Sequence, residues 1–125
     1  MSILLDSDVV IEILRSQNEA VLLKWEGLSH TQEVILFSPI TAAEVWGGAR
    51  TNERQATSRF FNFLTCVPLD YTIGQLGGDL LRHFGKSHGL KIADALIAAT
   101  AIQHNAALWT RNRKHYPMPQ LTLFT

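Results

Sequence analysis

Apolar residues in this chain come in two patterns. Four short runs, at 2–6, 34–37, 66–69 and 106–110, are apolar, rich in β-prone residues and bounded by polar or turn residues. Such runs predict buried strands. Between them apolar positions recur at helical spacing, which predicts helices over 9–14, 19–28, 41–50, 53–64, 71–87 and 92–104. Ser38-Pro39 marks a helix start, because Pro suits the first helical position. Gly74, Gly77 and Gly78 weaken the 71–87 helix and blur its limits. A fifth strand is expected over 121–124, after the bend at Pro117 and Pro119. Strands alternating with helices predict an α/β domain with a mainly parallel sheet. In such sheets ligands bind beyond the carboxyl ends of the strands.

Acidic residues stand at those ends. Asp6 closes the first strand, with Asp8 two residues on. Glu44 lies in the first turns of the helix after the second strand, and Asp94 opens the helix that feeds the fourth. Arg111 and Asn112 follow the fourth strand directly. Each acid has a plain structural role open to it. Asp6 or Ser7 can cap the first helix, and Asp94 can cap its own. Residues 41–44 (TAAE) fit a capping box. Asp94 is the hardest to explain this way. The helix around it, 92–99 (IADALIAA), is apolar nearly all round and so is expected to be buried. A carboxylate there is costly without a partner. Lys91 is near enough in sequence to serve, but positions 97 and 98 hold Ile and Ala. Gathered carboxylates repel one another, and a divalent cation relieves the repulsion. Oxygen ligands without thiols favour Mg²⁺ or Mn²⁺, metals that activate water in phosphoryl chemistry.

Length and composition narrow the setting. The chain has 125 residues, which suits one domain over 1–125, and 46% are hydrophobic, enough for one core. Eleven basic residues balance eleven acidic ones, which excludes a simple polycation. The balance is uneven: residues 1–79 carry −5 and residues 80–125 carry +5. A basic rim beside an acidic cluster is one explanation; ordinary variation of surface charge is the other. The lone Cys66 allows neither an internal disulfide nor a Cys-rich zinc site. No run is long and apolar enough to span a membrane, and the first residues lack the features of a secretion signal. A cytoplasmic protein with no membrane partner is the expectation.

Four stretches resemble the motifs of a known family. Residues 2–11 (SILLDSDVVI), 38–49 (SPITAAEVWGGA) and 89–101 (GLKIADALIAATA) resemble the first three motifs of PIN-domain ribonucleases. Residues 108–119 (LWTRNRKHYPMP) resemble the tail segment of VapC-type toxins. Order, spacing and length agree, so the resemblance covers nearly the whole chain. It implies a three-layer sandwich with a central, mainly parallel sheet of four to five strands. It also implies a Mg²⁺- or Mn²⁺-dependent RNA endonuclease paired with a small antitoxin, a homodimer, and a larger toxin–antitoxin assembly. The metal-binding acids map onto Asp6, Glu44 and Asp94. A fourth acid, frequent in the family near position 112 or shortly after, is replaced here by Asn112 and His115. Asp8 is then expected as a cap or beside the metal, and Asn112 beside it too, to supply an amide oxygen or to orient water. Lys86, Arg111, Arg113 and Lys114 are candidates for RNA phosphate contacts.

Other readings compete. Residues 3–10 (ILLDSDVV) also resemble the nucleophile motif of haloacid-dehalogenase-type phosphatases, in which Asp6 would be the nucleophile and Asp8 a general acid. A metal-free ribonuclease would draw on His30, His83, His88, His104 and His115, though no two form a recognisable pair. A non-catalytic PIN-like binding module would use the acids as caps alone. Phe60, Phe61 and Phe63 share one helix, with Trp46 in the one before. They either pack in the core or line a groove or dimer face.

Overall fold

The structure, a computed structural model, describes residues 1–125. Four strands, β1 (Ser2–Leu5), β2 (Val34–Phe37), β3 (Thr65–Cys66) and β4 (Ala106–Trp109), alternate with six helices. These are α1 (Ser7–Arg15), α2 (Glu19–Ser29), α3 (Pro39–Gly48), α4 (Arg54–Asn62), α5 (Tyr71–His88) and α6 (Ile92–Gln103). The sheet runs β3-β2-β1-β4 and every pair is parallel. β1 is central, with Ser2 opposite Val34 on one side and Leu5 opposite Trp109 on the other.

The alternation of strand side chains divides the core in two. Ile3 and Leu5 face a cluster with Val9, Val10, Phe37 and Trp109, beneath α1 to α4. Leu4 and Leu108 face the other cluster, with Ile73, Leu80, Ile97 and Tyr116, beneath α5, α6 and the C-terminal segment. The result is the expected three-layer sandwich. Each fully buried aliphatic side chain contributes roughly 1.5–3 kcal/mol, so both faces of β1 are strongly specified.

Local chemistry sets where the elements begin. Asp70 accepts from Ile73 N at 2.8 Å and starts α5, which then runs unbroken through Gly74, Gly77 and Gly78. At Gly77 the helix nears α6, where an added Cβ would stand 3.0 Å from Leu96 Cδ2. The expected 53–64 helix is shorter. Glu53 turns back to Arg50 N at 2.8 Å, so residues 51–53 form a 3₁₀ turn and α4 starts at Arg54. Capping also moves α3 forward. Ser38 accepts from Ile40 N at 3.1 Å, so the helix begins at Pro39 and not at Thr41. The expected fifth strand is reduced to one parallel bridge between Leu108 and Leu123. Its two hydrogen bonds, Leu108 N to Thr122 O and Phe124 N to Leu108 O, are both 2.8 Å.

The aromatic residues divide between the two roles open to them. Phe61 is buried with its centroid 4.6 Å from that of Phe37. Phe60 packs on Trp25, and the Arg54 guanidinium lies over Trp46. Phe63 is 89% exposed.

Candidate metal centre

The rim is built where β1 and β4 end side by side. Asp6 N donates to Trp109 O at 2.9 Å, which extends the ladder to the first polar residue of each strand. Asp6 is 6% exposed and is the N-cap of α1, with Oδ1 accepting from Ser7 N at 2.8 Å. The capping role is therefore real, but it uses only one oxygen. Oδ2 accepts from Thr110 Oγ1 and from Tyr116 Oη, both at 2.9 Å. The Thr110 hydroxyl also accepts from Asn112 N at 3.0 Å. Asn112 thus reaches the site through its backbone.

Asp94 is not the cap of α6. Lys91 occupies that position, and Asp94 sits third in the helix. Its Oδ1 is 3.4 Å from Tyr116 Oη and its Oδ2 is 3.8 Å from His115 Nδ1. Burial raises the Asp94 carboxyl above the usual range and the charge of Asp6 raises it further; His115, Tyr116 and Lys91 pull it back. Lys91 acts at a distance and forms no ion pair.

Glu44 is in the middle of α3, so the capping box, the structural role open to it, does not form. Thr41 is buried inside the helix, and its hydroxyl donates to Leu5 O at 3.3 Å. Glu44 is exposed and caps nothing there. Partial desolvation raises it, as do the charges of Asp6 and Asp94, while a hydrogen bond from Ser7 opposes the rise. Asp8 accepts from Arg111 N at 3.0 Å and fastens the β4 loop to α1. Burial, then repulsion from Asp6, push its carboxyl up to about 6. Its Oδ1 is buried without a hydrogen-bond partner.

Four carboxylates thus share one rim, and the charge of Asp6 raises the proton affinity of Asp8, Glu44 and Asp94. Their oxygens suit a hard divalent cation in chemistry, and Asp8 Oδ1 adds a buried acceptor with nothing to accept. As the side chains lie, no three acidic, histidine or cysteine groups converge closely enough to hold one ion.

The cations stand apart from one another. Arg111 pairs with Glu12 at 2.9 Å. Arg113 donates to Phe124 O at 3.4 Å. Lys114 is exposed, and Lys86 lies in the last turn of α5. Of the histidines, only His115 approaches the acids. His83 bonds to Asp79 O and His88 to Ser87, both on exposed parts of α5. Both Asp6 oxygens accept hydrogen bonds, an arrangement that blunts a nucleophile. Two residues of the site had escaped sequence reasoning. Thr110 follows an apolar strand just as Asp6 does, a signal available in the sequence; Tyr116 carried none beyond its type.

Comparison with known proteins agrees with this architecture. The family model described as PIN domain matches residues 3–120. Ribonuclease VapC19 of Mycobacterium tuberculosis is 34% identical over 116 residues, covering 92% of each chain. Among solved structures, VapBC2 from Rickettsia felis, bound to a DNA fragment from its promoter, superposes with a TM-score of 0.81. It is 26% identical and covers 99% of this chain and 98% of that one. A toxin–antitoxin complex from Klebsiella pneumoniae gives 0.76 at 27% identity, with 95% and 94% covered. With the family model spanning nearly its whole length, the chain belongs to the PIN-domain family.

Proposed function

We propose that this chain is an RNA endonuclease and the toxin of a toxin–antitoxin pair, with Asp6, Glu44 and Asp94 holding Mg²⁺ or Mn²⁺. The observation that carries the reading is the half-buried Asp94, placed beside Asp6 with no structural duty of its own. The ribonuclease relative at 34% identity supports the activity, and the toxin–antitoxin neighbour supports the pairing.

When bound, the cation supplies a Lewis acid that activates water and offsets charge on the phosphate. The protein's part is to hold ligands and substrate. Thr110 and Tyr116 orient Asp6. Tyr116 and His115 flank Asp94. Exposed Lys114 and Lys86 offer contacts to the RNA backbone, which position the chain without reading bases. A cavity of about 190 Å³, lined by Ile11, Leu14, Val45, Ala49 and Ala56 on one hand and by Arg15, Asn52, Glu53 and Thr57 on the other, offers a mixed apolar and polar seat for an antitoxin segment.

Purified protein treated with EDTA is expected to lose RNA cleavage. Mg²⁺ or Mn²⁺ should restore it, and Ca²⁺ should do so poorly because it prefers more ligands and looser geometry. The product should carry a 5′-phosphate. Robust cleavage in EDTA, or a 2′,3′-cyclic phosphate, overturns the reading in favour of attack by the ribose hydroxyl.

A further inference from the structure

Tyr116 reaches the site from the segment after β4. It ends the 3₁₀ turn Arg113–His115. Its ring is 4% exposed and belongs to the same core cluster as Leu4, Ala98 and Met118. Its hydroxyl emerges between two carboxylates, 2.9 Å from Asp6 Oδ2 and 3.4 Å from Asp94 Oδ1. A phenol carries one proton and donates to one of them at a time. The shorter distance assigns that proton to Asp6. Thr110 donates to the same oxygen. Two donors therefore fill the two lone-pair positions of Oδ2, whereas Oδ1 accepts only from Ser7 N and keeps one free.

We infer that Tyr116 is a positioning residue for the cation. With Thr110 it fills the acceptor positions of Asp6 Oδ2, so that Oδ1 is the oxygen left with an open position, and its hydroxyl lies between Asp6 and Asp94. This rests on the metal reading above. Hydrogen-bond partners of metal-binding side chains fix their orientation, and loss of one typically costs about 10–100-fold in metal affinity or activity. The effect belongs to the hydroxyl alone, since phenylalanine fills the same ring volume.

The test is a Mn²⁺ titration followed by the EPR signal of the free ion. Wild type, Tyr116→Phe, Thr110→Val and Thr100→Val are compared well below their melting midpoints. Thr100→Val is the control: it removes an equally buried hydroxyl, bonded to Leu96 O at 2.7 Å, that touches no acid. The dissociation constant is expected to rise about tenfold or more in Tyr116→Phe and in Thr110→Val, and to stay at the wild-type value in Thr100→Val. An unchanged constant in Tyr116→Phe, with wild type binding Mn²⁺, overturns the inference and leaves the metal reading standing. A similar rise in Thr100→Val overturns it too, since general loosening of the fold then explains the shift. Wild type that binds no Mn²⁺ overturns both.

Discussion

Asp94 and Glu44 flank the same carboxylate, yet they are held in opposite ways. On the Asp94 side, a half-buried carboxylate stands on α6 with the Tyr116 hydroxyl 3.4 Å from Oδ1 and His115 Nδ1 3.8 Å from Oδ2. On the Glu44 side, an exposed side chain stands on a helix whose buried residues are Thr41 and Val45. One carboxylate is half-buried and the other is open to solvent. The difference teaches that acids around one Asp can be desolvated to different degrees, and that a side chain left in solvent loses more rotamer freedom when something orders it.

Neutral isosteres break this comparison most directly. Asp6→Asn, Asp94→Asn and Glu44→Gln should each fold, because Asn caps α1 as Asp6 does and Asp94 and Glu44 cap nothing. Each should lose at least about 100-fold in RNA cleavage, along with growth inhibition, since removing a ligand exceeds the cost of disturbing its neighbours. Full activity in all three purified variants would sink the metal centre. The two flanks should part in stability. Without metal, Asp94→Asn should raise the melting midpoint, because the ionised carboxyl is disfavoured where it stands, whereas Glu44→Gln should hardly move it.

A pH series on metal-free protein sharpens the same contrast with a smaller effect. Asp8, Glu44 and Asp94 all have carboxyls raised in the folded state. A raised acid binds more protons folded than unfolded, so stability falls as pH rises through the window. For Asp8 that window runs from its ordinary 3.8 to about 6. The midpoint should therefore be higher at pH 5 than at pH 7.5, and saturating Mg²⁺ should flatten the difference. A midpoint that climbs with pH in metal-free protein contradicts the mutual repulsion.

The smallest effect concerns the basic residues. Lys114→Ala should lower the slope of log K against log salt by about 0.7 on an uncleavable single-stranded RNA, the value of one phosphate contact. Arg111→Ala should lower it less, because Glu12 already engages that guanidinium at 2.9 Å. Equal slopes in wild type and Lys114→Ala would assign Lys114 to ordinary surface charge.

Much of this was legible in the sequence. The parallel α/β sandwich followed from short apolar runs separated by helical periodicity, because strand and helix periods are local properties. Asp6 and Asp94 stood out for the same reason, as charges at the ends of apolar segments. What failed was competition between neighbours. Ser38-Pro39 and a capping box at Thr41–Glu44 offered rival helix starts, and Ser38 took the position because Pro39 is preset for the first turn. Residues 121–124 looked like a strand, but the chain meets β4 at one bridge only. Tyr116 was invisible for a different reason. Its place in a basic, irregular segment gives no period, and the direction of its hydroxyl depends on contacts with residues 22 and 110 positions away.

Those separations bear on how the protein comes into being. β1 lies in the middle of the sheet, and its partner β4 is drawn from more than 100 residues downstream. Closing so long a loop is entropically costly and slow compared with forming helices. The Asp6 carboxylate gains Thr110 and Tyr116 only once that loop is closed. Detaching β4 would dismantle the rim even with α1 to α4 still packed on one another. Hydrogen exchange should then find the amide of Asp6, which bonds to Trp109 O, opening together with β4 and apart from the helices beside it.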